Sequence, residues 1–292
     1  LKYKYGGGFR LFCVFSGFRN KWSLMAGWTS FHRNAQASTE AKCDTEELFV
    51  TLMHPSRDLK RAAKAEGKLN LKYDVVDVLL SRSCTVCDCL TLTPQLGMRI
   101  LFLDQQMRVD YTGKDFKFDT FTELKPEYNP YCPCEVICDR RELFDGARVN
   151  FDSDYYGVGM LGGLDTAFPL GCGFHFQGTF IGAIVAGRNL YKHEELLSKC
   201  VDFCTKEARP IIDVREKQYV AIPMLQVEGR LGWETKCYTK GQLRLVIGYS
   251  FTHLWNVPQL RRYHTGIESV SNSSHASTIG LHGGTFGAEL LF

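Results

Sequence analysis

The sequence predicts an all-β fold, an antiparallel up-and-down barrel whose strands cross a membrane, and three observations predict it. Nine segments alternate apolar and polar residues, the connections between them alternate short and long, and the last alternating segment ends in an aromatic residue, Phe292. Successive strand side chains point to opposite faces, so an alternating segment has one greasy and one wet face. A strand held between lipid and a polar interior needs that division.

The segments run over residues 6–16, 22–31, 71–81, 92–111, 151–166, 174–188, 219–233, 242–255 and 279–292. In the first, Phe9, Leu11, Cys13 and Phe15 share the outer face and leave Arg10 inside. The second, 22–31, leads into a polar stretch. In the third, Val76, Val78 and Leu80 leave Asp77 inside. Leu96, Met98, Ile100 and Phe102 oppose Gln95 and Arg99 in the fourth, and Tyr156, Val158, Met160 and Leu164 oppose Asp165 in the fifth. The sixth is irregular, because Ile181, Ala183 and Val185 make its inner face apolar. The seventh and eighth alternate most cleanly: Leu225, Val227, Leu231 and Trp233 oppose Gln226, Glu228 and Arg230, while Leu243, Leu245, Ile247, Tyr249 and Phe251 oppose Gln242, Arg244, Ser250 and Thr252. The ninth sets Phe286, Ala288, Leu290 and Phe292 against Thr285, Gly287 and Glu289.

An Arg or Lys turned to lipid at the bilayer midplane costs about 2–4 kcal/mol, so the charged sets are assigned inward. The expected pore-lining residues are Arg10, Asp77, Gln95, Arg99, Asp165, Glu228, Arg230, Arg244 and Glu289. Basic and acidic groups are mixed among them, so weak ion selectivity is expected. The competing reading, a soluble sheet with one wet face, shares the alternation but gives no reason for the loop rhythm.

Short connections (17–21, 82–91, 167–173, 234–241) alternate strictly with long ones (32–70, 112–150, 189–218, 256–278). Outer-membrane barrels have short periplasmic turns and longer external loops, which places the short set in the periplasm. The last strand then finishes there, with Phe292 as its membrane-insertion signal, and the first visible strand enters from outside. An even, closed barrel needs another strand before Leu1. Residues 1–292 are therefore expected to form a single barrel domain lacking its N-terminal strand, with at least ten strands in the complete protein.

Composition agrees with this class. Aromatic residues make up 13%, glycines number 27 and prolines only 9, as many strands with aromatic girdles require. A net charge of +3 with scattered Lys and Arg argues against nucleic acid as a partner. Apolar runs such as 180–187 fall far short of the roughly 20 residues of a spanning helix. The chain starts at Leu1 without an apolar leader, as expected of a processed chain or a fragment.

Twelve cysteines need an explanation. The crosslink candidates are Cys84, Cys87, Cys89, Cys172 and Cys237 at expected periplasmic ends, and Cys132, Cys134, Cys138, Cys200 and Cys204, together with Cys43, in expected external loops. Cys84 and Cys87 have the spacing of half a zinc site, but no second matching pair is evident, and disulfides are the commoner fate of exported thiols. Connectivity does not follow from spacing. No catalytic constellation is present: there is no G-x-S-x-G elbow or phosphate loop, and His193-Glu194-Glu195 lacks the second His of a metalloprotease helix. Neither enzymatic activity, a cofactor nor a metal is expected. Residues 190–206, with Leu196, Leu197, Cys200, Val201 and Cys204 at near-helical spacing, are expected to form a short helix in an external loop.

Several segments together resemble a known family. They are Leu-Asn-Leu-Lys-Tyr-Asp-Val-Val-Asp-Val after Lys68, Leu-Thr-Pro-Gln-Leu-Gly-Met-Arg ending at Arg99, and Phe-Leu-Asp-Gln-Gln from Phe102. Tyr-Tyr-Gly-Val-Gly-Met-Leu-Gly-Gly-Leu-Asp-Thr follows at 155–166, then Gly-Cys-Gly-Phe, Leu-Gly-Trp-Glu-Thr, His-Leu-Trp and the ending Leu-His-Gly-Gly-Thr-Phe-Gly-Ala-Glu-Leu-Leu-Phe. In this order and spacing, across nearly the whole chain, they resemble the Legionella-type major outer membrane proteins, a pore-forming family extending to chlamydia-like bacteria. The resemblance implies a porin of the bacterial outer membrane, allowing passive diffusion of small hydrophilic solutes and ions, and implies that the upstream segment is the family's first strand. It also implies as partners membrane lipids, the solutes, and a homo-oligomer or disulfide-linked envelope proteins tied through the periplasmic cysteines. The abundance of loop and turn cysteines departs from the pattern. The rival function is a structural or adhesive barrel whose long loops bind a partner and whose lumen is closed, since a ten-strand barrel is nearly filled by side chains.

Overall fold

A computed structural model describes residues 6–18, 22–41, 48, 52, 62–118, 142–202, 205–236, 242–265 and 270–291. Its strands are β1 (Gly8–Phe18), β2 (Trp22–Glu40), β3 (Lys64–Arg82), β4 (Cys84–Cys87), β5 (Leu90–Phe118), β6 (Glu142–Gly171), β7 (Phe174–Asp202), β8 (Thr205–Lys236), β9 (Gln242–Thr265) and β10 (Val270–Leu291). All pair antiparallel in one sheet in the order β1-β2-β3-β5-β6-β7-β8-β9-β10, with β4 extending the β3 edge of β5. Apart from the four-residue β4, each strand overlaps one of the nine alternating segments. Among the described residues no helix is long and apolar enough to cross a membrane.

Two expectations change. Residues 190–202 are not helical: they continue β7 and pair with β6 and β8, from Leu190↔Asp154 and Leu190↔Lys217 onward. The side chains there follow period two, with Tyr191, His193, Glu195 and Leu197 buried and Lys192 and Glu194 half-exposed between them, so a sheet buries this face where a helix would scatter it. The long external loops are correspondingly shorter. The expected loop 189–218 is almost entirely strand, and β2, β3, β5 and β6 also run well past their alternating segments. The wall projects beyond the membrane as a paired sheet.

Cross-strand partners share a face, so the register tests every inward and outward assignment. On the outer face the apolar positions occupy a band. It covers 92–102 on β5 and 176–186 on β7, close to the roughly 9–11 residues of a spanning strand. Met160, Ile184, Ile247 and Phe286 are all more than half exposed there. Aromatic residues mark both margins. Phe168 and Phe176 (centroids 6.4 Å apart) with Phe174 and Trp233 lie toward the short turns, while Phe102 and Tyr156 (5.1 Å apart) lie at the other margin. Beyond it the outward positions become Lys72, Asp104, Asp154, Arg188 and Lys217.

The inner face is layered. Near the short turns it carries charged and hydroxyl side chains. An apolar cluster begins among them with Leu79 and Leu161 and continues away from the turns through Leu101, Val185, Ile222 and Leu254. A second, around Val109, Val149, Phe151 and Tyr191, fills the projecting part. Glycines let the walls close on these layers: a Cβ at Gly159 would meet the Ile184 carbonyl oxygen, and one at Gly97 the Val78 carbonyl oxygen. The path from β1 to β10 alternates direction at each step, so β1 and β10 run the same way. They do not pair with each other.

Candidate functional site

The charged layer is assembled from β1, β7, β8, β9 and β10. Their register brings Glu289 opposite Arg244, Arg244 opposite Glu234, Gly248 opposite Arg230, and Thr179 opposite Glu228. The side chains form a chain of ion pairs. Glu228 accepts from Arg10 Nη1 at 2.7 Å and lies 3.9 Å from Arg230 Nε. Arg230 Nη1 is 3.9 Å from Glu289, which accepts from Arg244 Nη1 at 3.1 Å, and Arg244 Nη2 donates to Glu234 at 2.8 Å. Arg230 also donates to Thr179 at 3.4 Å. The Arg10–Glu228 bond is the long reach, since it joins the β1 end of the sheet to a strand near the opposite end and curls the sheet around its interior.

These residues border a cleft of about 1110 Å³ that opens between β1 and β10 and reaches inward to Tyr73, Met107 and Phe151. Arg10, Thr29, Glu228, Arg230, Thr285 and Glu289 line it. Four of the nine expected pore-lining residues therefore meet at one opening: Arg10, Glu228, Arg230 and Glu289. Arg244 lies directly behind Glu289 in the same network.

The other four face the interior in packed surroundings. Arg99 is 1% exposed and makes a bidentate pair with Asp77, both bonds 2.7 Å, while its Nη2 also donates to Gln226 at 3.1 Å. Gln95 is buried and donates to Asp165 at 3.2 Å. These two sets brace the wall where β3, β5, β6 and β8 meet the apolar cluster, and they do not border the cleft. Gln226 and Glu234 complete the networks. Alternation marks Gln226 only as a wet-face residue, and the loop rhythm puts Glu234 at the first position of a turn. Tyr155, in the sequence only the start of the 155–166 motif, uses its hydroxyl to donate toward the carbonyls of Val185 (2.9 Å) and Val220 (3.2 Å). An inward tyrosine amid alternating apolar residues carries no sequence signal of that bond.

Of the crosslink candidates, Cys87 and Cys89 form a disulfide with their Cα atoms 5.2 Å apart. Cys84 and Cys172 are exposed free thiols, as is Cys13 on the outer band. Thr91↔Ala167 pairing puts the turns carrying Cys87, Cys89 and Cys172 at the same rim. Cys200 lies in β7. Cys43, Cys132, Cys134, Cys138, Cys204 and Cys237 lie outside the described residues, as does Phe292. Among the described residues no group of His, Cys, Asp and Glu has the arrangement of a metal site.

A family model described as Legionella pneumophila major outer membrane protein precursor matches residues 1–292, the whole chain. No curated protein matches.

Proposed function

Because the chain belongs to the Legionella major outer membrane protein family, whose place is the bacterial outer membrane, we propose that it is a porin through which small hydrophilic solutes and ions diffuse passively. The observation that carries this reading is a charged cleft at the seam between the unpaired β1 and β10 edges of a sheet whose outer face is apolar. Arg10, Glu228, Arg230 and Glu289 border one opening of about 1110 Å³, while the residues outside them are apolar. Charged side chains kept away from lipid require water or one another, and this arrangement supplies both. The aqueous path enters beside β1 and β10, and its far wall is made by Leu71, Tyr73, Met107, Phe151 and Tyr191 of β3, β5, β6 and β7, while Leu79, Leu101, Leu161 and Val185 stay packed behind.

The inward charges nearly balance, with Arg10, Arg99, Arg230 and Arg244 set against Asp77, Asp165, Glu228, Glu289 and Glu234. Selectivity should be weak. Planar-bilayer recordings under unequal salt test both points. Discrete conductance steps with a small reversal potential support the porin, and a silent bilayer with correctly folded protein refutes it.

A closed structural barrel is the second reading, favoured by the apolar clusters that fill much of the interior. The same recordings separate the two. Crosslinking to neighbouring envelope proteins is compatible with either, and the exposed thiols of Cys84 and Cys172 at the short-turn rim are its natural points. Non-reducing electrophoresis of native envelopes should show species above monomer mass that diminish in C84S/C172S; monomer alone would remove crosslinking from the account.

A further inference from the structure

We propose that Arg188 and Lys217, with Tyr219 beside them, form a docking site on the outer wall for the phosphate headgroup of a membrane lipid, in the leaflet farther from the short turns. The register places them. Arg188 of β7 lies opposite Tyr219 of β8, and Lys217 is the next outward residue along β8. All three are exposed, Tyr219 at 76%, and the Lys217 ammonium sits 5.2 Å from the centroid of the Tyr219 ring. Directly below them the wall turns apolar, with Phe180 and Ile184 more than half exposed on β7. The trio thus stands at the boundary between hydrocarbon and headgroups, where an amphipathic tyrosine ring and long basic side chains are at home.

Like Lys68 farther out on β3, the two cations lack a carboxylate, and unlike Lys68 they stand at the margin of the apolar band. Five other outward cations of the projecting wall each have one: Lys72 with Asp104 at 3.4 Å, Arg108 with Asp110 at 2.9 Å, Arg148 with Asp110 at 2.5 Å, Lys192 with Glu194 at 3.4 Å and Arg215 with Asp213 at 3.1 Å. Arg188 and Lys217 make no ion pair with any described residue. The nearest acidic position in the register, Asp154, faces Leu190 and interacts with Asp104 on its other side. Burial and that neighbouring carboxylate push the Asp154 carboxyl above its ordinary value.

Two uncompensated cations at this depth meet one abundant class of anion, the phosphate of a lipid. A guanidinium binds phosphate oxygens in a fork and an ammonium adds a compact charge, so the pair can hold one phosphate from two strands. The site faces the lipid side of the wall, and the acyl chains of the same molecule would lie along Ile184 and Phe180. A dissolved anion makes no use of that surface. The inference is independent of the pore, because an open and a closed barrel share this outer face.

Native mass spectrometry of the full chain, folded in detergent micelles and titrated with phosphatidic acid or with phosphatidylcholine of the same acyl chains, reads the site directly. Phosphatidic acid should bind preferentially. R188Q/K217Q should weaken it about tenfold or more, from about fivefold per basic residue near a charged surface, and leave phosphatidylcholine unchanged. K192Q and R215Q, whose cations already have carboxylates, should change it less than about twofold. Heat-modifiable electrophoretic mobility verifies that each variant is folded. Equal affinity for the two lipids, a double variant that binds like the parent, or displacement of the lipid by millimolar inorganic phosphate would each overturn the proposal.

Discussion

Arg99 shows how a single residue can be legible in direction and opaque in role. Alternation fixes that it points inward, because the lipid side is closed to a guanidinium. Whether it meets water or protein depends on which strands curl over it, and the Asp77 and Gln226 contacts come from β3 and β8, far away in sequence. Removing one partner of such a buried pair leaves a stranded charge, so D77N should destabilise the barrel by about 3 kcal/mol, measured as the shift in guanidinium unfolding from micelles. D77N should leave reversal potentials nearly unchanged, since Asp77 does not border the cleft. Glu228 does, and it holds Arg10 at 2.7 Å. E228Q leaves Arg10 and Arg230 without that carboxylate and should move the reversal potential toward anion preference; an unchanged or cation-shifted potential would contradict the lumen assignment.

At the scale of elements, period two locates strands inside the membrane because lipid enforces it. Nine segments and their faces were legible for that reason, including the apolar inner face of Ile181, Ala183 and Val185, which the structure places against the interior cluster. Beyond the band the outer face meets water, polar residues are tolerated on both sides of the alternation, and the signal fades. Residues 190–202 carry a helical spacing yet form strand for this reason. Leu196 and Leu197 are adjacent, and helical spacing fits them as well as an extended strand with one buried leucine. Hydrogen exchange should show slow amides through 190–197, with spin labels at Lys192 and Glu194 mobile and one at His193 immobile. A three-to-four-residue periodicity would restore the helix. The β6–β7 turn is the opposite case, where sequence and geometry agree in part. Gly171, Cys172 and Gly173 have φ of 92°, 53° and 83°, positive values that glycine accepts and cysteine does not favour. C172N should therefore stabilise the turn by up to about 1 kcal/mol in the same unfolding assay.

For the molecule as a whole, strand directions matter more than any one contact. β1 and β10 run the same way, so joining them directly would make a parallel pair, whereas one strand of opposite direction between them gives ten long antiparallel strands and leaves no backbone edge in hydrocarbon. Neighbouring strands lie about 4.8 Å apart and next-nearest ones at twice that. A disulfide between cysteines introduced at Phe9 and Phe286 should therefore fail to form in the membrane, and its ready formation would show the two edges in direct contact. The strand order was legible in the loop rhythm, but the packed interior was not, because it depends on how tightly glycines such as Gly97 and Gly159 let the wall curl.

The central claim is that the apolar face of this sheet touches lipid chains. The four tryptophans report on it without any label. Trp22, Trp28, Trp233 and Trp255 all fall on the outward register of their strands. In bilayers made with lipids brominated along their acyl chains, most of the tryptophan emission should be quenched, while aqueous iodide quenches little of it. Emission insensitive to bromine and readily quenched by iodide would mean that this face is not in a membrane.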